Sequence, residues 1–452
     1  MKIYAKNILL EAGWAKNQTL TINDGIISAI QDGQDPDAEV IERPIIPGMV
    51  NLHSHSFQKA FAGLTEFRAN QEDSFWSWRD AMYRLLQSVT PDDLKIIARY
   101  LYCEMLTQGY TSCAEFHYLH HQAHGEPYAD QAANSHAVIQ GALDAGIYLR
   151  HCPVFYHYSG FGKLAAEAGQ RPFYNTIESF QSLVESLFSH YQNNSEVSIG
   201  IAPHSLRAVS KEQLQQLTQW WQTGPIHIHI AEQMREVEDC RAFYQQRPVE
   251  FLLDTVAVDE RWCLVHATHM TAQECQNFAA TGAVAGLCPE TEANLGDGVF
   301  PASDFLSANG QWGIGSDSHI CISPWRELRT LEYSQRFVRQ RRNILASESL
   351  KHVGRYLWQT AAQQGAQVVN RASGVLAVGR RADLITLDNT CSELCAREDD
   401  QWLDSAIFAC NDNPVVDVMV AGKWRVNNRQ LLQQDNVAAD YQKVLARLLR
   451  QH

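Results

Sequence analysis

The chain has 452 residues, 45% of them hydrophobic and 19% charged, which supplies a large apolar core and excludes a disordered or fibrous protein. Its 37 Lys and Arg against 51 Asp and Glu leave a formal net charge of −14, so it is expected to bind neither nucleic acid nor an anionic membrane, since proteins that do so lean basic. The eleven cysteines, scattered from Cys103 to Cys410, form no C-x-x-C pair, and no apolar run reaches the roughly 18 residues of a membrane span, so a cytoplasmic protein with reduced thiols is expected.

Residues 1 to about 47 read as short strands. Thr19 to Ile22 alternates polar and apolar, Asn23-Asp24-Gly25 supplies a turn, and Ile26 to Ile30 returns. The middle of the chain alternates between two periods. Strands are predicted at Ile45 to His53, Thr111 to Phe116, Ile147 to Phe155 and Val197 to Ala202. Four more are predicted at Ile226 to Ile230, Trp262 to His266, Ala283 to Leu287 and Trp312 to Gly315. Helical patterns fill most gaps, at Asp92 to Leu106, Gln131 to Asp144, Ile177 to Tyr191, Lys211 to Trp221, Val249 to Thr255 and Ala272 to Ala280. Eight near-continuous apolar strands separated by helices predict a (β/α)8 barrel of the TIM type, closed by helices at Pro324 to Phe337 and Leu350 to Val369. Strand texture returns at Asp383 to Leu387 and Val415 to Val420, and the last helix is predicted at Tyr441 to Leu449. The expected division is a barrel over 48–370, a small β-sandwich built from 1–47 and 371–430, and a C-terminal helix in 431–452.

Chemistry in such a barrel sits at the C-terminal ends of the strands. The first strand ends in His53-Ser54-His55, whose two imidazoles share a side because they are two residues apart. His229 ends the fifth strand, with Glu232 three residues on, His266 ends the sixth, and Asp317 follows the eighth. Imidazoles and a carboxylate converging at one mouth suit a borderline divalent ion such as Zn2+, with water as a further ligand. His53, His55, His229 and Asp317 are the predicted ligands. The fourth strand ends Pro203-His204-Ser205, with no lysine or carboxylate to bridge a second ion, so one metal ion per chain is expected. His227 is read as a packed histidine, and His269 and His319 lie past strand ends without an assigned role. Arg207, just after the fourth strand, and Arg79, in the long lid-like connection after the first, offer two-donor forks for carboxylates. Trp76 and Trp78 are read as lid packing.

This constellation resembles the amidohydrolase superfamily and its mononuclear deaminase branch, in which His229-Ile230-Ala231-Glu232 looks like the H-x-x-E motif and Gly374 to Leu384 like the return to the β module. Three longer stretches, His53 to Gly63, Glu115 to His121 and Thr291 to Gly298, are similar to the formimidoylglutamate deiminases of histidine degradation, with small departures at Ser56 and Glu290. The likeness implies hydrolysis of a dianionic amino-acid derivative, N-formimidoyl-L-glutamate, by water. It implies proton transfer by Glu232 and Asp317, an activating role for His266, and substrate contacts from Gln58, Tyr118 and His204. A homodimer is the expected assembly. A deaminase of a purine, pterin or other heterocycle would share the metal ligands, but would lack the paired arginines and favour an aromatic slot. A non-catalytic scaffold would be expected to have lost ligands that are all present here.

Overall fold

The first predicted strand is two strands, and the break between them sets the architecture. In the computed structural model, which describes residues 1–66 and 75–450, Ile45–Pro47 belongs to an outer sheet and Met49–Ser54 to the barrel. Pro47 has no N–H to continue a ladder. Past it the chain changes partners: Gly48 N–H donates to Asp383 O and Met49 N–H to Gly109 O. Gly48 has to be small there, because a Cβ would lie 2.3 Å from Thr111 Cγ2.

The barrel strands are Met49–Ser54, Tyr110–His117, Tyr148–Phe155, Val197–Ile199 continued by Ala202–Pro203, Ile226–Ile230, Trp262–His266, Val284–Leu287 and Gln311–Ile314. All run parallel to their neighbours, in chain order, within two arcs of four strands. Their apolar runs are continuous because both faces are covered. Val50, Leu52, Ala114, Tyr148, Val265 and Val284 fill the middle, so the barrel is a packed core and no pore.

The two seams between the arcs are held by few backbone bonds. At the fourth–fifth seam His227 N–H donates to Ile201 O and His229 N–H to His204 O, both at 3.0 Å. At the eighth–first seam Asp317 N–H donates to His53 O at 3.0 Å and His55 N–H to Asp317 O at 3.2 Å. Gly315 makes the second seam possible, since a Cβ on it would lie 2.7–2.8 Å from the Cβ, N and O of His53. Gly315→Ala is therefore expected to push the first and eighth strands apart. Overpacking of this kind costs about 1–3 kcal/mol. A thermal melt should show the lower stability, and elemental analysis a lower metal content.

The chain ends form one nine-stranded sheet. Ile45–Pro47 lies within it, parallel to Lys2–Leu10 and antiparallel to Leu384–Leu387. The sheet curls over itself: the turn at Gly25 packs against Ala421, and Ile3, Ile8, Leu20, Ile27, Leu384 and Met419 share a core separate from the barrel's. The expected sandwich thus takes the form of a single folded-over sheet.

Most predicted helices lie within two or three residues of their expected limits, from Pro91–Gln108 to Pro324–Arg339 and Val353–Val368. The final helix begins earlier than expected and spans Val437–Leu449. Helices at Phe75–Leu86, Met234–Tyr244, Pro289–Leu295 and Asp400–Phe408 were not foreseen. Met234–Tyr244 buries only Glu236, Val237 and Cys240, so its apolar stripe is too short to register as a period. Among the described residues no helix is long and apolar enough to cross a membrane.

Candidate active site

His53 and His55 leave the first barrel strand on one side, with their Nε2 atoms 3.1 Å apart. His229 Nε2 reaches within 3.0 Å of His53 Nε2 from across the barrel. Asp317 Oδ1 lies 3.3 Å from His53 Nε2 and 3.2 Å from His55 Nε2. The four donor atoms lie within 4.8 Å of one another, and all four residues are buried. Burial holds the His53 imidazole down to about 4 and the His229 imidazole well below its usual range, so both keep free lone pairs. The Nδ1–H of His55 donates to Phe116 O at 2.8 Å, which leaves its Nε2 as the lone pair too. Three lone pairs crowded around one carboxylate oxygen call for a cation. Donors around a tetrahedral zinc with bonds of about 2.0–2.1 Å stand roughly 3.3 Å apart, close to the spacings here. The site fits a single divalent ion.

Beside these donors stands a second group. His266 Nε2 lies 3.8 Å from Glu232 Oε1 and 3.9 Å from Asp317 Oδ2, while its Nδ1 lies 3.3 Å from Glu292 Oε1. Burial works against charge on His266, but Glu232, the bond to Glu292 and Asp317 outweigh it and push the imidazole up to about 10. Burial also raises Glu232, with His266 opposing. Several of these residues sit on unusual backbone. Ala231, His266, Ala267 and Asp317 have φ of 50°, 67°, 48° and 44°, a left-handed conformation that non-glycine residues adopt at a cost of order 1 kcal/mol or more each. The chain bends sharply at three strand ends, and each bend turns a side chain toward one point.

That point is the floor of a cavity. His55, His229, Glu232, His266 and Asp317 line its bottom, and Gln58, Arg79, Tyr118, His204 and Arg207 its walls. His53 lies beneath, fully buried. Sequence reasoning missed Met82, Tyr83, Tyr156, Phe173 and Leu295, which complete the lining, and Glu292 behind His266. Glu292 lies in the stretch Thr291 to Gly298, which drew notice only for its likeness to a family. Its position in the first turn of a helix opening with Pro289, just past the seventh strand, was the signal available.

The remaining histidines fall elsewhere. His227 is buried below the site, His269 donates to Asp297 O at 2.8 Å, and His319 is bonded between Ser54 and Ser316. Arg79, Met82 and Tyr83 reach the cavity from the helix Phe75–Leu86, the second half of the expected lid. The side chains of Trp76 and Trp78 lie outside the described residues.

On the wall, Gln58 Nε2–H donates to Tyr118 Oη at 2.7 Å, and the Tyr118 hydroxyl donates to Met82 Sδ at 3.3 Å. Gln58 Oε1 is buried and has no hydrogen-bond partner among the described residues. His204 stays neutral, because burial and the neighbouring Arg207 charge both lower it. The site therefore combines a metal-donor set, three acid–base groups, one waiting acceptor and two guanidinium groups.

Known proteins resemble this chain along nearly its whole length. The profile of the amidohydrolase family matches residues 45–425. The chain is 46% identical over 450 residues to the formimidoylglutamate deiminase of Pseudomonas aeruginosa, covering 99% of each chain. It superposes on the crystal structure of an amidohydrolase from Brucella melitensis with a TM-score of 0.94, at 43% identity and 99% coverage of both. A zinc-bound adenosine deaminase from Xanthomonas campestris shares the fold at a TM-score of 0.81 and 21% identity, over 99% of this chain and 98% of that one.

Proposed function

Because the chain belongs to the amidohydrolase family, we propose that it is a formimidoylglutamate deiminase, converting N-formimidoyl-L-glutamate and water to N-formyl-L-glutamate and ammonia in histidine degradation. The observation that carries this reading is that Arg79 and Arg207 line the same cavity as the His53, His55, His229 and Asp317 donor set. Two guanidinium forks suit the two carboxylates of a linear substrate, while the donor set faces its reactive end. The donor chemistry favours one zinc ion per chain. His266, Cys288 and Glu292 form a neighbouring donor group, but Glu292 Oε1 already accepts from Cys288 N–H and His266, which argues against a second ion there. Mostly buried, unpaired cysteines suit a reducing cytoplasm.

A metal ion held by these four residues supplies Lewis acidity that makes water nucleophilic at neutral pH. The protein's own groups do the rest. Asp317 turns Oδ1 toward His53 and His55, which leaves Oδ2 to accept a proton from the attacking water. At 3.8 and 3.9 Å the two carboxylates are too far from His266 Nε2 for direct hydrogen bonds, and an oxygen beside the three groups can bond to each of them. His266, steadied by Glu292, donates to it. As the C–O bond forms, the two water protons pass through Asp317 and Glu232 to the imino nitrogen. The C–N bond then breaks and ammonia leaves. Gln58 Oε1 accepts the N–H of the nitrogen that stays with the product, and Tyr118 and His204 shape the wall beside it.

This reading has a direct test. Losing one charged hydrogen-bonding partner in a closed site costs about 1.5–3 kcal/mol. Arg207→Ala should therefore lower kcat/KM for N-formimidoyl-L-glutamate by about 10- to 100-fold, and Arg79→Ala by a similar or somewhat smaller factor. N-formimidoyl-L-alanine, which lacks the side-chain carboxylate, should be a poor substrate for the wild-type enzyme. Equal turnover of the two compounds would contradict the two-carboxylate reading.

A further inference from the structure

Glu236 is a buried carboxyl group that the chemistry above does not use. It lies in the first turn of the helix Met234–Tyr244, and its Oε2 accepts the backbone N–H of Glu232 at 3.2 Å. Its Oε1 is buried and has no hydrogen-bond partner among the described residues. Glu236 does not line the reaction cavity. It lines a second, outer cavity walled by Ser159, Phe161, Leu164 and Phe243. Arg79 and Arg207 line both cavities, so they stand at the boundary between them. Arg207 thus shares the reaction cavity with Glu232 and the outer cavity with Glu236.

A guanidinium can serve two carboxylates, but with an ionised Glu236 on one side it offers less attraction to a substrate anion on the other. We propose that Glu236 is a positioning residue for Arg207 and that, when ionised, it competes with the substrate carboxylate for the guanidinium. Its environment supports a titration in the working range. Burial pushes the Glu236 carboxyl up to about 7, with the Arg207 charge opposing and Glu232 adding to the rise. On its own helix it has Arg235 and Asp239, which pair with each other at 3.7 Å, and the buried Cys240. Across the outer cavity lie Arg79 and Glu167, 4.0 Å apart, and beyond Arg207 lie Tyr156 and Tyr83, both raised by burial and neutral at this pH. Glu236 is thus placed to change its charge near neutrality. The sign follows: a carboxyl raised in the free enzyme is neutral below pH 7 and charged above it, and a bound anion raises it further. Substrate binding should take up protons, and KM should rise with pH.

The inference rests on the proposed placement of a substrate carboxylate at Arg207. The test uses zinc-loaded wild-type enzyme, Glu236→Gln and Glu236→Asp. KM for N-formimidoyl-L-glutamate is measured from pH 6 to 8.5, and proton uptake on binding N-formyl-L-glutamate by calorimetry in two buffers of different ionisation enthalpy. In the wild type KM should rise about tenfold across this range, with proton uptake near pH 7. In Glu236→Gln the KM profile should be flat and the uptake lost, while Glu236→Asp should keep both. Parallel KM profiles in wild type and Glu236→Gln, or a KM raised by one factor at every pH, would overturn the inference alone. A protein that binds neither compound would overturn the substrate reading and this inference with it.

Discussion

Glu232→Gln should lower kcat by about 10²–10⁴-fold, the range typical of a positioned acid–base group, with the metal content unchanged. The amide keeps the shape of the side chain but cannot carry a proton. Glu232 lies outside the donor set of His53, His55, His229 and Asp317, so its loss should not release the ion. Its Oε1 lies 3.8 Å from His266 Nε2, beside the proposed position of the reacting oxygen. KM should change far less than kcat, because the residues proposed to hold the substrate carboxylates, Arg79 and Arg207, lie elsewhere on the cavity wall. Steady-state kinetics with elemental analysis of the same preparation checks this. Near-normal kcat in the variant would remove Glu232 from the proton path.

His229→Ala should abolish activity by a different route. It removes one of four converging donors and leaves His53 and His55 facing an incomplete site. Loss of a mere supporting group around a metal costs about 10- to 100-fold in affinity, and loss of a ligand should cost more. The ion should be missing from purified protein, whereas the far-UV circular dichroism should match the wild type. His229 sits at a strand end, and the barrel's interior layers of Val50, Leu52, Val265 and Val284 do not depend on it. Unfolded protein, or full metal content, would contradict this account.

The cluster of His53, His55, His229 and Asp317, which could hold a metal ion, was legible from sequence because strand geometry is simple. A period of two turns His53 and His55 to one side, and an apolar run that stops at a histidine or precedes an aspartate marks a strand end. The bends at His266 and Asp317, with φ of 67° and 44°, could not be read, yet they aim both side chains at the cavity floor. Glu292 and Glu236 escaped for a related reason. Each lies on a helix after a strand, and the distance of Glu292 from His266, on a different barrel strand, depends on how elements pack across the barrel. Tyr83 and Tyr156 likewise reach the cavity from separate connections. In the fold, the run Ile45 to His53 looked like one strand because both its halves are apolar. Only the change of hydrogen-bond partner, from Asp383 at Gly48 to Gly109 at Met49, divides it between two sheets. The closure of the barrel was legible as a count of eight strands. That its two weakest seams carry His204, His229, His53 and Asp317 was not.

Ammonia release by the zinc-loaded enzyme from N-formimidoyl-L-glutamate, measured beside adenosine and guanine, tests the central claim most directly. Rapid release from the formimidoyl compound alone, with N-formyl-L-glutamate as the second product, is the result expected of a cavity with two arginines above the donor set. Rapid release from either heterocycle, with the formimidoyl compound left intact, would contradict it.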